Sequence, residues 1–395
     1  MRTPPAYRCG AGLGAAMVAV LIGCAGNPPP FLAAPAAPRD AVETSLFLIG
    51  DAGEPDPAGE PVLAALRDAV AIAPGARLVV LLGDNIYPRG MPDSTDPNRA
   101  EAERRLSTQI SAVHELAPVL VLPGNHDWSA GGADGWDAMR RQERFVTSRG
   151  NARLAPGNGC PGPVVLDFGI RLRLVVLDTE WWLRTGPKPA AGVGECVPDT
   201  PAGVTDSLRG ALRGAGDRLV AVLGHHPLAS GGPHGGHFTW KDHIFPLTAA
   251  VPWLWVPLPI IGSLYPLARQ AGWSDQDMSG GRNVEMRDSL AAAFRVRPPL
   301  LYAGGHEHNL QIIDGDDARH LVVSGAGRYA HTSHVVAIRG TRFAAAAGGF
   351  VRVDVLRDGR VRLAVITADR AGVGSEAYSQ WLDTTGAPAL DVGRQ

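Results

Sequence analysis

Residues 78–87 read LVVLLGDNIY, an apolar run that ends at Gly83 and is followed by Asp84 and a tyrosine at position 87. A short run rich in Val and Leu and stopped by glycine is typical of a strand buried on both faces of a sheet. Glycine permits a sharp turn, so the next side chain can point into a crevice beyond the strand. The stretch therefore predicts a buried strand that brings Asp84 to the edge of a sheet.

Four further segments repeat this pattern of an apolar strand, a glycine and a polar side chain. They are Gly50-Asp51-Ala52-Gly53, Gly124-Asn125-His126-Asp127, Gly224-His225-His226-Pro227 and Gly305-His306-Glu307-His308. A single Gly-Asp after a strand is usually a turn or a helix cap, and a single His-x-His is often a surface pair. Five such segments at five strand ends are improbable as a coincidence, because loops at the carboxyl ends of strands in an open sheet can converge.

Helical patterns lie between some of the apolar runs, at residues 60–73 and 99–115. Alternation of strand and helix predicts an α/β layered domain. The polar groups of the five segments are carboxylates, imidazoles, an amide and a phenol, a ligand set that suits hard or borderline cations. One carboxylate can bridge two such cations about 3.5–4 Å apart, and the pair can neutralise a phosphate and activate a water.

Together the five segments resemble the motif blocks of the calcineurin-like metallophosphoesterase superfamily. Gly83-Asp84-x-x-Tyr87 is similar to the purple acid phosphatase branch, and residues 82–87, 305–311 and 324–327 resemble its tartrate-resistant type. The resemblance covers roughly residues 45–330, apart from an apolar insertion at about 238–282. It implies an α/β fold, a four-layer αββα sandwich of two mixed sheets with a dinuclear metal site at the carboxyl ends of strands.

The resemblance also implies which residues hold the two metal ions. The first ion, Fe(III) in that branch, would be held by Asp51, Tyr87 and His308. The second, Fe(II), Zn or Mn, would be held by Asn125, His225 and His306, and Asp84 would bridge the pair. If Tyr87 were instead an ordinary core aromatic, the site would be a plain pair of divalent ions.

The implied reaction is hydrolysis of phosphate monoesters, with a metal-bound hydroxide attacking phosphorus in line with the leaving oxygen. His126, His226 and His234 are the candidate outer-sphere catalytic histidines. His126 resembles the family histidine that contacts phosphate or protonates the leaving group, and Asp127 either orients it or caps the local turn. His226 stands where the tartrate-resistant type has a tyrosine. His234 falls where that type also has a histidine, but Pro233 replaces the acidic residue expected before it.

The chain has 395 residues, of which 45% are hydrophobic and 19% charged, and its formal net charge is -2. These values predict a sizeable core and give no reason to expect nucleic acid as a partner. The expected partner is a small phosphorylated substrate, which a local cationic site must attract.

Residues 1–23 are expected to be a lipoprotein signal peptide. Arg2 and Arg8 precede an uncharged run at 10–23, and Leu21-Ile22-Gly23-Cys24 resembles a lipobox, which predicts an exported protein anchored to the membrane of a bacterial envelope through a lipid on Cys24. The alternative is an ordinary signal peptide with a chance cysteine. Loss of Cys9 with the signal and acylation of Cys24 would leave Cys160 and Cys196 as the remaining pair, which predicts a disulfide between them in an oxidising compartment.

Three further segments complete the expected organisation. Residues 24–44 are predicted to be a Pro/Ala-rich tether, 45–370 the metallophosphoesterase domain and 371–395 a C-terminal tail. The apolar insertion contains too many prolines for a transmembrane helix. It is expected either to cover the site or enter a membrane interface, or to pack as a loop on the domain.

Two other functions remain open from the sequence. The same two-metal chemistry would serve a phosphodiesterase acting on lipid headgroups or nucleotides. The second open function is that of a surface lipoprotein that keeps the fold only as a binding module, although the complete set of candidate ligands argues against it.

Overall fold

The structure is a computed structural model that describes residues 33–249, 251 and 253–384. The predicted signal peptide and Cys24 lie outside the described residues. The strands are β1 (Val42–Ile49), β2 (Ala76–Leu81), β3 (Val119–Val121), β4 (Ala152–Leu154), β5 (Val164–Phe168), β6 (Leu172–Val176), β7 (Leu219–Leu223), β8 (Leu301–Gly304), β9 (Leu310–Asp314), β10 (His320–Ser324), β11 (Thr341–Ala345), β12 (Gly349–Leu356), β13 (Val361–Ala368) and β14 (Gly374–Leu382). The helices are α1 (Pro61–Ile72), α2 (Arg99–Ser111), α3 (Gly135–Thr147), α4 (Glu180–Leu183), α5 (Pro201–Arg213), α6 (Trp240–Ile244), α7 (Leu264–Gln270) and α8 (Gly281–Phe294).

The strands form two seven-stranded mixed sheets. The first has the order β14-β13-β12-β1-β2-β3-β4 and the second the order β11-β9-β10-β8-β7-β6-β5. Strands β1 to β4 of the first sheet pair in parallel, and so do β6, β7, β8 and β10 of the second. The pairs made by β12, β13 and β14 and those made by β9 and β11 are antiparallel. The predicted pair of mixed sheets is therefore confirmed.

Apolar side chains fill three layers, and these explain why the central strands are apolar on both faces. Leu46 and Leu48 of β1 point into the layer between the sheets, where they meet Leu174 and Leu223 of the second sheet. Their neighbour Phe47 points the other way, into a layer shared with α1, α2 and α3. A third layer packs β6 and β7 against α4, α5 and α8. Helices thus cover both outer faces, which confirms the four-layer αββα sandwich.

The ends of the domain differ from the expected boundaries. β1 begins at Val42, inside the segment predicted to be a tether, because Val42 and Thr44 are buried in the sheet. β14 lies inside the segment predicted to be a tail and pairs with β13 along its length. It is an edge strand with few buried residues, so its polar sequence gives no strong strand signal.

The insertion at 238–282 contains α6, α7 and short single-turn helices, separated by irregular backbone. Its last residues return to the carboxyl ends of the central strands. No helix in the described part of the chain is long and apolar enough to cross a bilayer.

Candidate metal centre

Five central strands deliver the predicted ligands to one place between the two sheets. β1, β2 and β3 of the first sheet lead to Asp51, Asp84 and Asn125, and β7 and β8 of the second lead to His225 and His306. Parallel strands bring their carboxyl ends to the same edge, so residues distant in sequence meet there. Two groups of side chains in the described residues have potential ligand atoms within 4.8 Å of one another: Asp51, Asp84 and His225, and His225, His226 and His306.

One half of the site is built around Tyr87. Its hydroxyl lies 3.2 Å from Asp51 Oδ1, 3.2 Å from Asp84 Oδ2 and 3.0 Å from His308 Nε2. His308 Nε2 is in turn 3.4 Å from Asp51 Oδ1. These four side chains are the ones expected around the first ion, with Asp84 shared.

The other half is built around Asn125. Its Oδ1 lies 3.1 Å from His225 Nε2 and 3.0 Å from His306 Nδ1, and these two ring nitrogens are 3.2 Å apart. Asp84 Oδ1 lies 3.5 Å from His225 Nε2. The Asp84 carboxylate therefore presents one oxygen to each half of the site.

The hydrogen bonds behind these histidines show that the donor set fits a cation. His225 Nδ1 lies 2.8 Å from the carbonyl oxygen of Leu82, and His306 Nε2 lies 2.9 Å from that of Gln276. A carbonyl only accepts, so each of these nitrogens carries the proton and the other ring nitrogen faces Asn125 Oδ1. Metal-binding histidines are commonly oriented by such a hydrogen bond from the ring nitrogen that does not face the metal.

Charge points to the same conclusion. Burial opposes protonation of His225, but the Asp84 and Asp51 carboxylates outweigh it and raise the pKa of His225 to about 10. Burial, with Asp51 and Asp84 beside it, also raises the pKa of the Tyr87 phenol well above its usual value. The carboxylates of Asp51 and Asp84 thus stabilise positive charge beside them, which is what bound metal ions supply.

The backbone that holds these ligands is constrained. Asp51, Asp84 and His306 have positive φ angles of 59°, 54° and 67°, a conformation that is costly for residues other than glycine and is often found at functional sites. At Gly83, a Cβ atom would lie 2.5 Å from His225 Nδ1, and at Gly305 it would lie 2.5 Å from Asp51 Oδ2. Glycine is therefore required at both positions for the strand ends to approach each other.

Of the two roles considered for Asp127 from the sequence, orienting His126 or capping the local turn, it has the second. Its buried carboxylate accepts hydrogen bonds from the backbone N–H groups of Asn85, Ile86 and Gly124, at 3.0, 3.2 and 2.8 Å. It therefore joins the loops that carry Asp84 and Asn125. The His126 ring is oriented instead by the carbonyl oxygen of Pro88, 2.7 Å from Nδ1.

The three candidate catalytic histidines lie at the rim or wall of the site. His126 is partly exposed, and its Nε2 lies 4.0 Å from Asp84 Oδ2. The partly exposed His234 packs on His306, with ring centroids 4.1 Å apart. His226 is fully buried and both its ring nitrogens have partners, Thr179 Oγ1 and Gln276 Oε1, each at 2.9 Å.

Three residues that the insertion brings to this site were not predicted from the sequence. Gln276 contacts His306 through its carbonyl oxygen and His226 through its side chain. Asp277 accepts a hydrogen bond from His234 Nδ1 at 2.9 Å, and Arg269 donates to Asp277 Oδ2 at 2.8 Å. The sequence signal for these three residues is weak, because they follow a long apolar segment and not a predicted strand. His331, also missed, packs on His308 with ring centroids 4.5 Å apart.

One family model and several solved structures are similar to this chain. A family model described as calcineurin-like phosphoesterase matches residues 45–310. The chain matches no curated protein. Among solved structures, a purple acid phosphatase from yellow lupin (Lupinus luteus) is 13% identical with a TM-score of 0.52, over 86% of this chain and 54% of that one. That likeness is evidence of a shared fold.

Two other similar structures have slightly lower TM-scores. GAP50, the anchor in the inner membrane complex of Plasmodium, is 14% identical with a TM-score of 0.49, covering 87% of this chain and 89% of that one. PhoD is 12% identical with a TM-score of 0.49, covering 91% and 73%. Because the family match spans well over half of the sequence, from β1 to β9, this chain belongs to the calcineurin-like phosphoesterase family, whose fold implies a dinuclear metal centre.

Proposed function

We propose that the chain hydrolyses phosphate monoesters at a pair of metal ions, as purple acid phosphatases do. The observation that supports this is the position of Tyr87, whose hydroxyl lies within 3.2 Å of Asp51, Asp84 and His308. A phenolate in this position favours a trivalent ion such as Fe(III), and the opposite half of the site suits Fe(II), Zn or Mn. Two bound cations supply neutralisation of phosphate charge and acidify a water.

The chain's own residues complete the proposed site. His126 donates from Nδ1 to Pro88 and His234 from Nδ1 to Asp277, so each ring keeps Nε2 for a substrate oxygen. Both are partly exposed, which leaves a substrate room to approach. His226 has no free ring nitrogen and is assigned a positioning role, since it connects Thr179 to Gln276 behind the ligands.

The proposal is tested by comparing p-nitrophenyl phosphate with bis-p-nitrophenyl phosphate as substrates. The full chain is loaded with iron plus zinc or manganese, and Asp84→Asn is the matched control that should lack turnover. Faster cleavage of the monoester supports the proposal. Preference for the diester would favour a phosphodiesterase, and loss of both activities in a metal-loaded chain would favour a binding module.

We further infer that the chain is exported and anchored by a lipid on Cys24. The support is the Leu21-Ile22-Gly23-Cys24 sequence after an uncharged run. Mass spectrometry of the mature N-terminus tests this, with Cys24→Ser as the control. An unmodified Cys24 in the mature chain would show that the segment is not a lipobox.

A further inference from the structure

The insertion carries large apolar side chains on its outer surface. Trp253 is 78% exposed, Ile260 89% and Trp273 74%, and Leu264 and Leu267 of α7 are also exposed. Of the nineteen large apolar residues that are exposed in the described part of the chain, ten lie in the insertion. A concentrated apolar surface of this kind marks an interaction site.

Its composition distinguishes the kind of partner. Residues 243–268 contain no Asp, Glu, Lys or Arg. A protein interface surrounds its apolar core with a polar rim, which a segment of this length without a charge does not provide, whereas tryptophan is enriched at the boundary between a bilayer and water. The proposed lipid on Cys24, nine residues before Ala33, would hold the domain beside a bilayer on a segment about 30 Å long when extended.

The inner side of the same segment is bonded to the candidate metal centre. In α7, Arg269 donates to Asp277, which accepts from His234, while Leu264 and Leu267 face solvent. A few residues later the carbonyl oxygen of Gln276 accepts from His306. The Met278 N–H donates to the carbonyl oxygen of His234 at 2.9 Å. A surface bound by the outer side would therefore lie close to the mouth of the site.

We propose that the outer face of the insertion, represented by Trp253, Ile260 and Trp273, binds a lipid surface and presents phosphate monoester headgroups to the metal centre. The headgroup part of this inference rests on the proposed function, and the docking part does not. The substrate class is then a phosphomonoester lipid held in a bilayer, for which phosphatidic acid is a suitable probe.

Docking is measured with the full anchored chain in vesicles of phosphatidylethanolamine and phosphatidylglycerol whose acyl chains carry bromine, which quenches nearby tryptophan fluorescence. The chain has nine tryptophans and none lies in residues 1–32, so the anchor contributes no signal. The test variant is Ile260→Ser, Leu264→Ser and Leu267→Ser together, which removes exposed apolar side chains of the insertion and keeps all the tryptophans. The matched control is Ile72→Ser with Ile170→Ser, which removes two exposed apolar residues outside the insertion.

Quenching of the unmodified chain and of the control, with loss of at least half of it in the test variant, is the expected result. Turnover of phosphatidic acid in vesicles should fall at least about tenfold in the test variant, while turnover of soluble p-nitrophenyl phosphate stays unchanged. Turnover of the soluble ester without any quenching would overturn the docking surface and leave the proposed function intact. Quenching without turnover of either ester would overturn the proposed function and leave the docking surface intact. Self-association that the test variant abolishes, without quenching, would make a second copy the occupant and overturn the inference.

Discussion

His234 Nδ1 lies 2.9 Å from Asp277 Oδ1, so the insertion supplies a buried carboxylate to a histidine at the mouth of the metal centre. Arg269 donates to both oxygens of that carboxylate. The His234 ring is thereby held against His306, at a centroid distance of 4.1 Å. Although the sequence has proline where the resemblance predicts an acidic residue before His234, the fold provides the acid from a different segment.

Asp277→Asn is expected to lower kcat about 10- to 100-fold without loss of bound metal. The amide removes the charge that holds His234 and Arg269 in place, and outer-shell changes at metal sites have effects of this size. Steady-state kinetics with p-nitrophenyl phosphate and metal analysis test this. Asp275→Asn, at a more exposed carboxylate nearby, is the matched control and should retain full activity. Equal activity of the two variants would show that Asp277 has only a structural role.

Asp84→Asn is expected to lower both metal content and turnover, the latter by more than about 100-fold. Asp84 Oδ2 faces Tyr87 and Oδ1 faces His225, so an amide would replace one of the oxygens in a shared position. The effect should exceed that of an outer-shell change because a bridging carboxylate binds both ions. Retention of metal and full activity would refute the bridging role. Asp93→Asn, on the surface, is the control.

The apolar runs before each glycine predicted the strands that converge on the site. Those runs are local signals, since buried strands such as β1 and β7 are apolar on both faces. Gln276 and Asp277 could not be predicted in the same way, because their contacts depend on the three-dimensional path of the insertion. The edge strand β14 was missed for a related reason, since an edge strand needs few apolar residues.

Tyr87→Phe is expected to remove the visible absorption band of the iron-loaded chain. The band would arise from a phenolate on Fe(III), and phenylalanine has no oxygen to replace it. Burial, together with the nearby carboxylates of Asp51 and Asp84, holds the pKa of Tyr87 above its usual value, so only a strongly binding cation would displace its proton. Absorption spectra of the loaded chains test this, with Tyr329→Phe as the control. An unchanged band would show that the iron–phenolate assignment is wrong.

Ionisation of Asp178 should lower the free energy of unfolding as pH rises. This fully buried carboxylate accepts hydrogen bonds from Trp128 Nε1 at 2.8 Å and from the Trp181 N–H at 3.1 Å. Burial outweighs these bonds and raises the pKa of Asp178 to about 8. An unfolded Asp has a pKa of about 3.9, so the folded chain binds this proton more tightly. Its contribution to stability is therefore complete below about pH 4 and is lost as pH rises towards about 8.

Asp178→Asn removes this titration. As pH rises through that range, the free energy of unfolding of the variant should therefore increase relative to that of the unmodified chain, by up to about 1.4 kcal/mol per pH unit. Denaturant unfolding at several pH values between 5 and 8 measures the difference. Asp167→Asn is the control, because hydrogen bonds from Arg173 lower the pKa of that more exposed carboxylate and no such trend is expected above pH 5. A constant difference between Asp178→Asn and the unmodified chain would mean that Asp178 is already ionised in the folded protein.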